Sequence, residues 1–496
     1  MIQNNTTRLA TSSATRFRAW IALALVLFLP WWTADAQSLR HDILDRKDQL
    51  RLINAENAPG LHGLYSRIRT NFPGNTRIEN LAPPQGNLPG IIELDMFIPA
   101  DVPLDLWISM YAKDKDGTWF QTPPMEDWQP GKWQTLRFDF RADAAKVHPA
   151  GHTAVWNNYW ARHMAETGVQ FFSSSPWIGE LYLAQVRLKQ ELQAPQPRID
   201  AFRCLTRQPK AYQRLEFEFT IPGDIGNPFN PEDIQIDARF TTPSGNVRIA
   251  PAFFYQGYHR ELDESGVEQL TPNGPGLWRV RLTPFESGLF TWRLQGHVRG
   301  KPLKTRDHSI DIAEGEPQGF IRVSSVNPLF FETADGEFFY GIGHNIRSPT
   351  DLRSERKLKI KMKPDGGTFT YDGFFKKMAA NGENAGMVWM ANWWVSIEWN
   401  ENWRGFHGIN DFNLGNAWRL DHLLEEAQRR GIYIYLDIDN HGKYSSFCDP
   451  EWQTSPFNEK NGGPCKSPLE MFSRDDMFEL YARRIRYITA RWGPQP

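Results

Sequence analysis

The stretch "GIYIYLDIDNHG" (431–442) decides how this chain is read. Ile432, Ile434, Leu436 and Ile438 alternate with Tyr433, Tyr435, Asp437 and Asp439, and His441 continues the second set. Period two is the signature of a strand. One face is aliphatic throughout, whereas the other turns acidic and then basic toward its C-terminal end. In parallel α/β folds the functional groups gather at the C-terminal ends of the strands. The stretch therefore predicts a parallel strand with its aliphatic face on helices and its polar tip at a site.

The flanking sequence carries the same grammar. "GNAWRLDHLLEEAQRRG" (415–431) places Trp418, Leu420, Leu423, Leu424 and Ala427 on one helical face and ends at Gly431. "AGMVWMANWW" (385–394) and "FFYGIGHNI" (338–346) read as strands, and "YDGFFKKMAANG" (371–382) and "RDDMFELYARRIRYITARWG" (474–493) as helices. Strand–helix alternation, three times over, predicts a parallel sheet with right-handed crossovers. Each strand ends in a polar tip: His344-Asn345, Asn392-Trp393-Trp394 and Asp439-Asn440-His441. These eight residues are the expected substrate-binding set.

Upstream the chain reads as β structure in two parts. Residues 38–192 contain short strands at 91–99, 104–113, 133–140, 168–173 and 179–188, with Asp116-Gly117 as a hairpin turn. They predict a jelly-roll-like, carbohydrate-binding-like β-sandwich. Along 104–112, Leu104, Leu106, Ile108 and Met110 share one face, and Trp107, Ser109 and Tyr111 share the other. Trp107 and Tyr111 are a candidate sugar platform; the competing reading is packing under a loop or against the other sheet. "QAPQP" (193–197) is a Pro-rich break. Residues 198–316 predict an Ig-like β-sandwich, with 214–221 and 234–240 as strands and 278–284 paired with 288–298.

Residues 1–36 have the form of a cleaved export signal: Arg8, Arg16 and Arg18, then the apolar run 19–32, then Ala34-Asp35-Ala36. A secreted or periplasmic location is expected, with no membrane span after cleavage. Of the 3 cysteines, Cys448 and Cys465 flank a loop, and in an exported chain that spacing predicts a disulfide, with Trp452 and Phe457 held near the cleft. Cys204 stands apart. A net charge of -2 gives no electrostatic case for nucleic acid. No cofactor and no metal are expected. The 20 Trp and 32 Phe fit both a β-rich core and sugar stacking.

The runs 319–345 and 419–442 resemble the start of a clan A glycoside hydrolase barrel, in particular the family 5-like cellulases in which an Ig-like domain of uncharacterised function precedes the barrel. The resemblance implies that 317–496 is the N-terminal part of a (β/α)8 barrel acting on polysaccharide or oligosaccharide. It implies His344, Asn345 and His441 in the cleft and Trp393 and Trp394 against sugar faces. The family's two catalytic glutamates stand at the tips of strands four and seven, beyond the three βα units read here, so the catalytic residues are unknown and the chain is expected to be truncated and inactive. Glu398 and Glu401 in the loop after the second strand, and Asp437 and Asp439 roughly 7 Å apart along the third, are weak substitutes; Asp439 with His441 is a candidate orienting pair. The alternative is a non-catalytic carbohydrate-binding or surface-adhesion protein.

Overall fold

The computed structural model describes residues 66–79, 81, 90–141, 144, 146–189, 198–317, 319–351, 356–360 and 366–496, with the backbone of three short strands, Ser38–His41, Arg51–Ile53 and Ala55–Ala58. The expected signal at 1–36 and the break at 193–197 lie outside the described residues. The described residues are mostly β-sheet. No helix among them is long and apolar enough to cross a membrane.

The first β region, expected as a sandwich, has its described strands in one continuous hydrogen-bonded sheet of ten, organised around one long strand, Met164–Lys189. Its first half pairs antiparallel with Trp107–Asp114 and with the second half of Ser66–Glu79. Past an irregularity between Ser173 and Trp177 it pairs with Ile91–Ile98 and with the first half of Ser66–Glu79. The sequence predicts two strands here. The unpaired residues are Ser174, Ser175 and Pro176, and Asp105 holds the chain there by accepting from Ser173 Oγ at 2.7 Å and Ser174 N at 3.0 Å. A bend thus replaces a turn. Ile92, Leu94, Met96, Ile108, Met110, Phe120, Phe138, Val169, Phe171 and Leu181 fill the space between the layers.

The second sandwich has one sheet of Asp200–Cys204, Leu215–Thr220, Glu268–Leu282 and Phe253–Leu262. The other sheet holds Val247–Pro251, Ile234–Thr241, Gly288–Val298, Lys301–Lys304 and His308–Ile312. The predicted pairing of 278–284 with 288–298 is wrong. Those strands lie in opposite sheets, because the Phe285–Ser287 link crosses from one layer to the other. Phe217 of the first sheet meets Trp292 of the second at 4.7 Å between ring centroids.

The C-terminal segment has the predicted parallel sheet: Gly343–Asn345, Ala385–Trp389 and Tyr433–Asp437, in that spatial order. Helices Gly367–Ala380, Leu414–Arg429 and Asp475–Trp492 follow the successive strands. Gly386 is held close to the helix layer: a Cβ there would lie 3.3 Å from Met378 and 3.5 Å from Ile434 Cδ1. Ile434 and Leu436 share that pleat, so the aliphatic face does pack on helices. The opposite face is open, with Tyr435 65% exposed.

Two polar seams join these parts. Asp421, on the second helix, is buried and accepts from Arg281 of the second sandwich at 3.0 Å, from Arg491 at 2.7 Å and from Trp492 Nε1 at 2.8 Å. Burial pushes its pKa up, but Arg281 and Arg491 outweigh that and hold it well below the carboxylate range. At the second seam, the helix Asn158–His163 meets the loop after the second parallel strand. His163 and His407 stack at 3.6 Å, Asp411 lies 3.0 Å from His163 and 3.1 Å from Arg162, and Tyr159 OH lies 3.5 Å from His407. Burial, then His163, depresses the His407 pKa well below that of a free imidazole.

The predicted Cys448–Cys465 disulfide is absent; all three cysteines are free. Cys465 is buried with its Sγ 3.8 Å from Met471 Sδ, in a small core with Trp452, Phe457 and Met477, while Cys448 is exposed. Trp452 and Phe457 are therefore core residues and not cleft residues.

Two outcomes follow from the seams. Asp421→Ala removes the buried carboxylate facing Arg491 and leaves Arg281 with Glu216 as its remaining carboxylate, and about 3–5 kcal/mol of stability should be lost, read as a lower urea midpoint; a loss under about 1 kcal/mol would mean that the network is dispensable. His407 is buried neutral, so its contribution is complete above the unfolded imidazole pKa and is lost as pH falls below about 6.5, by up to ~1.4 kcal/mol per pH unit. The urea midpoint should drop between pH 7.5 and 5, and His407→Gln should flatten that drop. An equal slope in the variant would assign the acid sensitivity elsewhere.

Candidate functional site

The parallel sheet continues past its strands as a rim. Ile346 N donates to Met387 O at 3.0 Å, Trp389 N to Arg347 O at 3.3 Å and Met390 N to Asp437 O at 2.8 Å. These bonds place Arg347, Trp389 and Asp437 side by side. The Arg347 guanidinium lies over the Trp389 ring at 5.1 Å, and His441 meets the same indole edge-to-face at 5.8 Å. Burial raises the Asp437 pKa, with Lys443 opposing it. Trp393, beyond the second tip, is 44% exposed.

The predicted rim residues divide between the rim and the packing behind it. Asn345 shares the open pleat with Met387 and Tyr435. His344 does not: its register with Gly386 and Ile434 turns it to the helix side, where Nδ1 pairs with Glu383. Trp394 is buried and stacks on Tyr371 at 5.2 Å, so it is packing and not a sugar platform. Asn392 is buried with its Oδ1 unpartnered. Asn440 is buried and donates to Glu451. Asp439 is not paired with His441. Arg484 donates to it at 2.9 Å and Lys443 at 3.2 Å; burial works against the ionised form, yet these cations hold its pKa at about 2. His441 turns instead to Asp449, 3.1 Å away.

Arg484 was not legible as a site residue. It lies on an arginine-rich helix whose charges read as solvent-facing, yet it is buried between Asp439 and Glu398, 3.7 Å from the latter. Glu398 is itself buried, which raises its pKa. Trp389 and Arg347 are not marked by the polar tips either: Trp389 lies three residues before the second tip, and Arg347 two residues beyond the first.

The first sandwich carries a second candidate surface. The register sets Trp107, Ser109, Tyr111 and Lys113 beside Phe172, Gln170, Gly168 and Glu166, with Arg77 beyond Gln170 and with Gln121 and Trp119 on the other side. Trp107 is 38% exposed and meets Phe172 edge-to-face at 6.3 Å. Tyr111, the other predicted platform residue, is fully buried. It lies over Gly168, where a Cβ would come 2.6 Å from the phenol oxygen, and donates to Glu166 at 3.0 Å. Trp119 stacks on it at 4.3 Å and takes the surface position. Lys113 and Arg77 lie over Trp119 at 5.4 and 5.2 Å. Gln170 donates to Gln121 at 3.3 Å, and Trp119 Nε1 and Arg77 Nε are unpartnered. The sequence gives the face correctly, but not the ring that covers it.

The two surfaces are tied together. The hairpin tip that follows Lys113 enters the loop after the second parallel strand: Lys115 Nζ donates to Trp403 O at 3.0 Å and to the carbonyls of Glu401 and Phe406, and Gly405 N donates to Asp116 at 2.8 Å.

The family model that matches, a domain of unknown function designated DUF5060, covers residues 208–296. No curated protein matches the chain. Solved structures similar to it are glycoside hydrolases and carbohydrate-binding modules at low identity. A candidate glycoside hydrolase from Bacteroides vulgatus is 16% identical, with 58% of this chain and 48% of that one covered and a TM-score of 0.37. A β-1,2-glucanase from Parabacteroides distasonis is 12% identical, with 57% and 37% covered and a TM-score of 0.21. The family 11 carbohydrate-binding module of a cellulosomal cellulase from Clostridium thermocellum is 11% identical, with 33% and 91% covered and a TM-score of 0.20. The chain spans about half, or less, of the length of the two enzymes it matches here.

Proposed function

We propose that this is an exported, polysaccharide-binding protein of the glycoside hydrolase type, with 317–496 forming the first part of a family 5-like (β/α)8 barrel. The observation that carries the reading is the floor of the first sandwich, where Trp107, Phe172 and Trp119 alternate with Gln121, Gln170 and Arg77. Flat rings take the CH faces of pyranoses, and amides and guanidinium groups bond hydroxyls in a plane. A glycan chain presents both kinds of surface at every residue. The open pleat of Asn345, Met387 and Tyr435 supports the barrel reading, because parallel sheets are covered on both faces. The rim of Trp389, Trp393, Asp437 and His441 is the matching end of a cleft.

Retaining hydrolysis requires two carboxyl groups about 5–5.5 Å apart, one protonated and one ionised. Asp439 is engaged by Arg484 and Lys443, and Glu398 faces the same arginine from a buried position. Neither is placed to attack a sugar, so this segment binds without turnover. The second reading, a non-catalytic binding or adhesion protein, rests on the same floor.

The purified chain should be retained on at least one of xylan, mannan or β-glucan in affinity electrophoresis. Trp119→Ala and Gln170→Ala, each checked for folding by near-UV circular dichroism, should weaken retention about tenfold, ~1.4 kcal/mol. Retention on none of the three, or retention unchanged in both folded variants, would remove the sandwich floor as the binding surface. Reducing-end release from the same glycans should stay at background; release that disappears in Asp439→Ala would instead make the third strand catalytic.

A further inference from the structure

The loop that leaves the third parallel strand brings His441, which stands at the rim, together with two donors that the glycan-binding argument does not use, Cys448 and Asp449. His441, Cys448 and Asp449 offer Nε2 or Nδ1, Sγ and a carboxylate oxygen, all within 4.8 Å of one another. His441 Nε2 and Asp449 Oδ2 are already 3.1 Å apart. A tetrahedral zinc-class ion with nitrogen and oxygen at about 2.0–2.2 Å and sulfur at about 2.3 Å spaces such donors roughly 3.3–3.7 Å apart. Because no two of the donors are more than 4.8 Å apart, closing on such an ion takes shifts of about an ångström at most.

The loop is braced for that geometry. Ser445 N donates to Gly442 O at 3.0 Å, and Glu451 N donates to the same carbonyl at 3.0 Å. Cys448 N donates to Ser445 Oγ at 2.8 Å. The Trp389 indole fixes the plane of the His441 ring. A second feature lies directly behind. Glu451 is only 7% exposed, and its Oε2 has no hydrogen-bond partner. Its carboxylate is wedged against Gly442, where a Cβ would meet Glu451 Oε1 at 2.2 Å and Asp449 O at 2.6 Å. A buried acid with an unsatisfied oxygen, packed on the backbone that carries the donors, is an arrangement that a cation in front of it would stabilise.

We propose that His441, Cys448 and Asp449 form a binding site for a borderline-soft divalent cation of the zinc class. One sulfur, one imidazole nitrogen and one carboxylate oxygen select zinc or cobalt over magnesium or calcium. Three protein ligands leave a fourth position open toward solvent beside Trp389, at the rim. The site revises the expectation that no metal is bound, and it does not depend on the polysaccharide reading. It also accounts for an exposed cysteine that is not bonded to Cys465.

The test uses the full chain, reduced and freed of metal with a chelator. Cobalt should bind with one equivalent and produce a thiolate-to-cobalt charge-transfer band. Zinc should displace it, and should slow alkylation of Cys448 by iodoacetamide at least about tenfold. Cys448→Ser should lose the band, His441→Ala should weaken zinc binding by about tenfold or more, and Cys204→Ser should change neither. The proposal is overturned by cobalt binding without the band, by a band that survives Cys448→Ser, or by recovery of Cys448 bonded to Cys465 from unreduced protein. Magnesium that protects Cys448 as well as zinc does would also sink it.

Discussion

The most fully enclosed of the ion pairs between the α/β segment and the second sandwich centres on one carboxylate, with Glu268–Arg419 and Arg260–Asp372 beside it. Asp421 sits where solvent cannot reach it, and two guanidinium groups and an indole close on it. A buried ion pair adds little net stability over apolar packing, but once built it tolerates no missing partner. That asymmetry makes it a device for position. Arg281 comes from a sheet of the sandwich, Arg491 and Trp492 from the last helix, and Asp421 from the helix before the third parallel strand. Any sliding of one element against the others would leave a charge unpaired in a dry seam. The third strand inherits its place from that helix, and the rim inherits its place from the third strand.

The rim then follows from the register of a three-stranded sheet. A pleat has period two, so a residue one step from a tip faces the opposite way. Asn345 and His344 show the consequence. Both belong to the first polar tip, yet one lies on the open face and the other reaches back to Glu383 behind the sheet. The same rule places Ile434 and Leu436 against helices and leaves Tyr435 and Asp437 on the open side. Polarity at a strand end marks where the site is. Only the pairing shows which of two adjacent residues belongs to it.

This sets the limit of what the sequence makes legible. The order and type of the α/β elements are written in local periodicity, and 414–429, 433–437 and 475–492 are readable from it. The pairing of 278–284 with 288–298 is not, because a tight link between two strands is compatible with a hairpin or with a crossing between sheets. Asp421 and Arg484 are invisible for a related reason: a charge on an amphipathic helix is ordinarily solvated, and only the arrival of distant arginines or acids makes burial affordable. Cys448 and Cys465 are close in sequence, but Cys465 is drawn into a small core by Phe457 and Met471. Tyr111 is on the face that alternation assigns to it, and is covered by Trp119 from the neighbouring strand.

The link between the two candidate surfaces is made of hydrogen bonds and not of a flexible tether. Lys113 lies against Trp119 on the sandwich floor, and two residues later Lys115 has left that floor to bond three carbonyls of the loop that carries Trp403. Burial lowers the Lys115 pKa, and the carbonyls provide the solvation that water would have given. His163, His407 and Asp411 fasten the far end of the same loop. A loop fixed at both ends by another layer of the molecule cannot reorient alone. On the proposed reading, a glycan on the sandwich and a glycan at the rim therefore meet surfaces of fixed relative direction, and its length and stiffness decide whether one chain engages both.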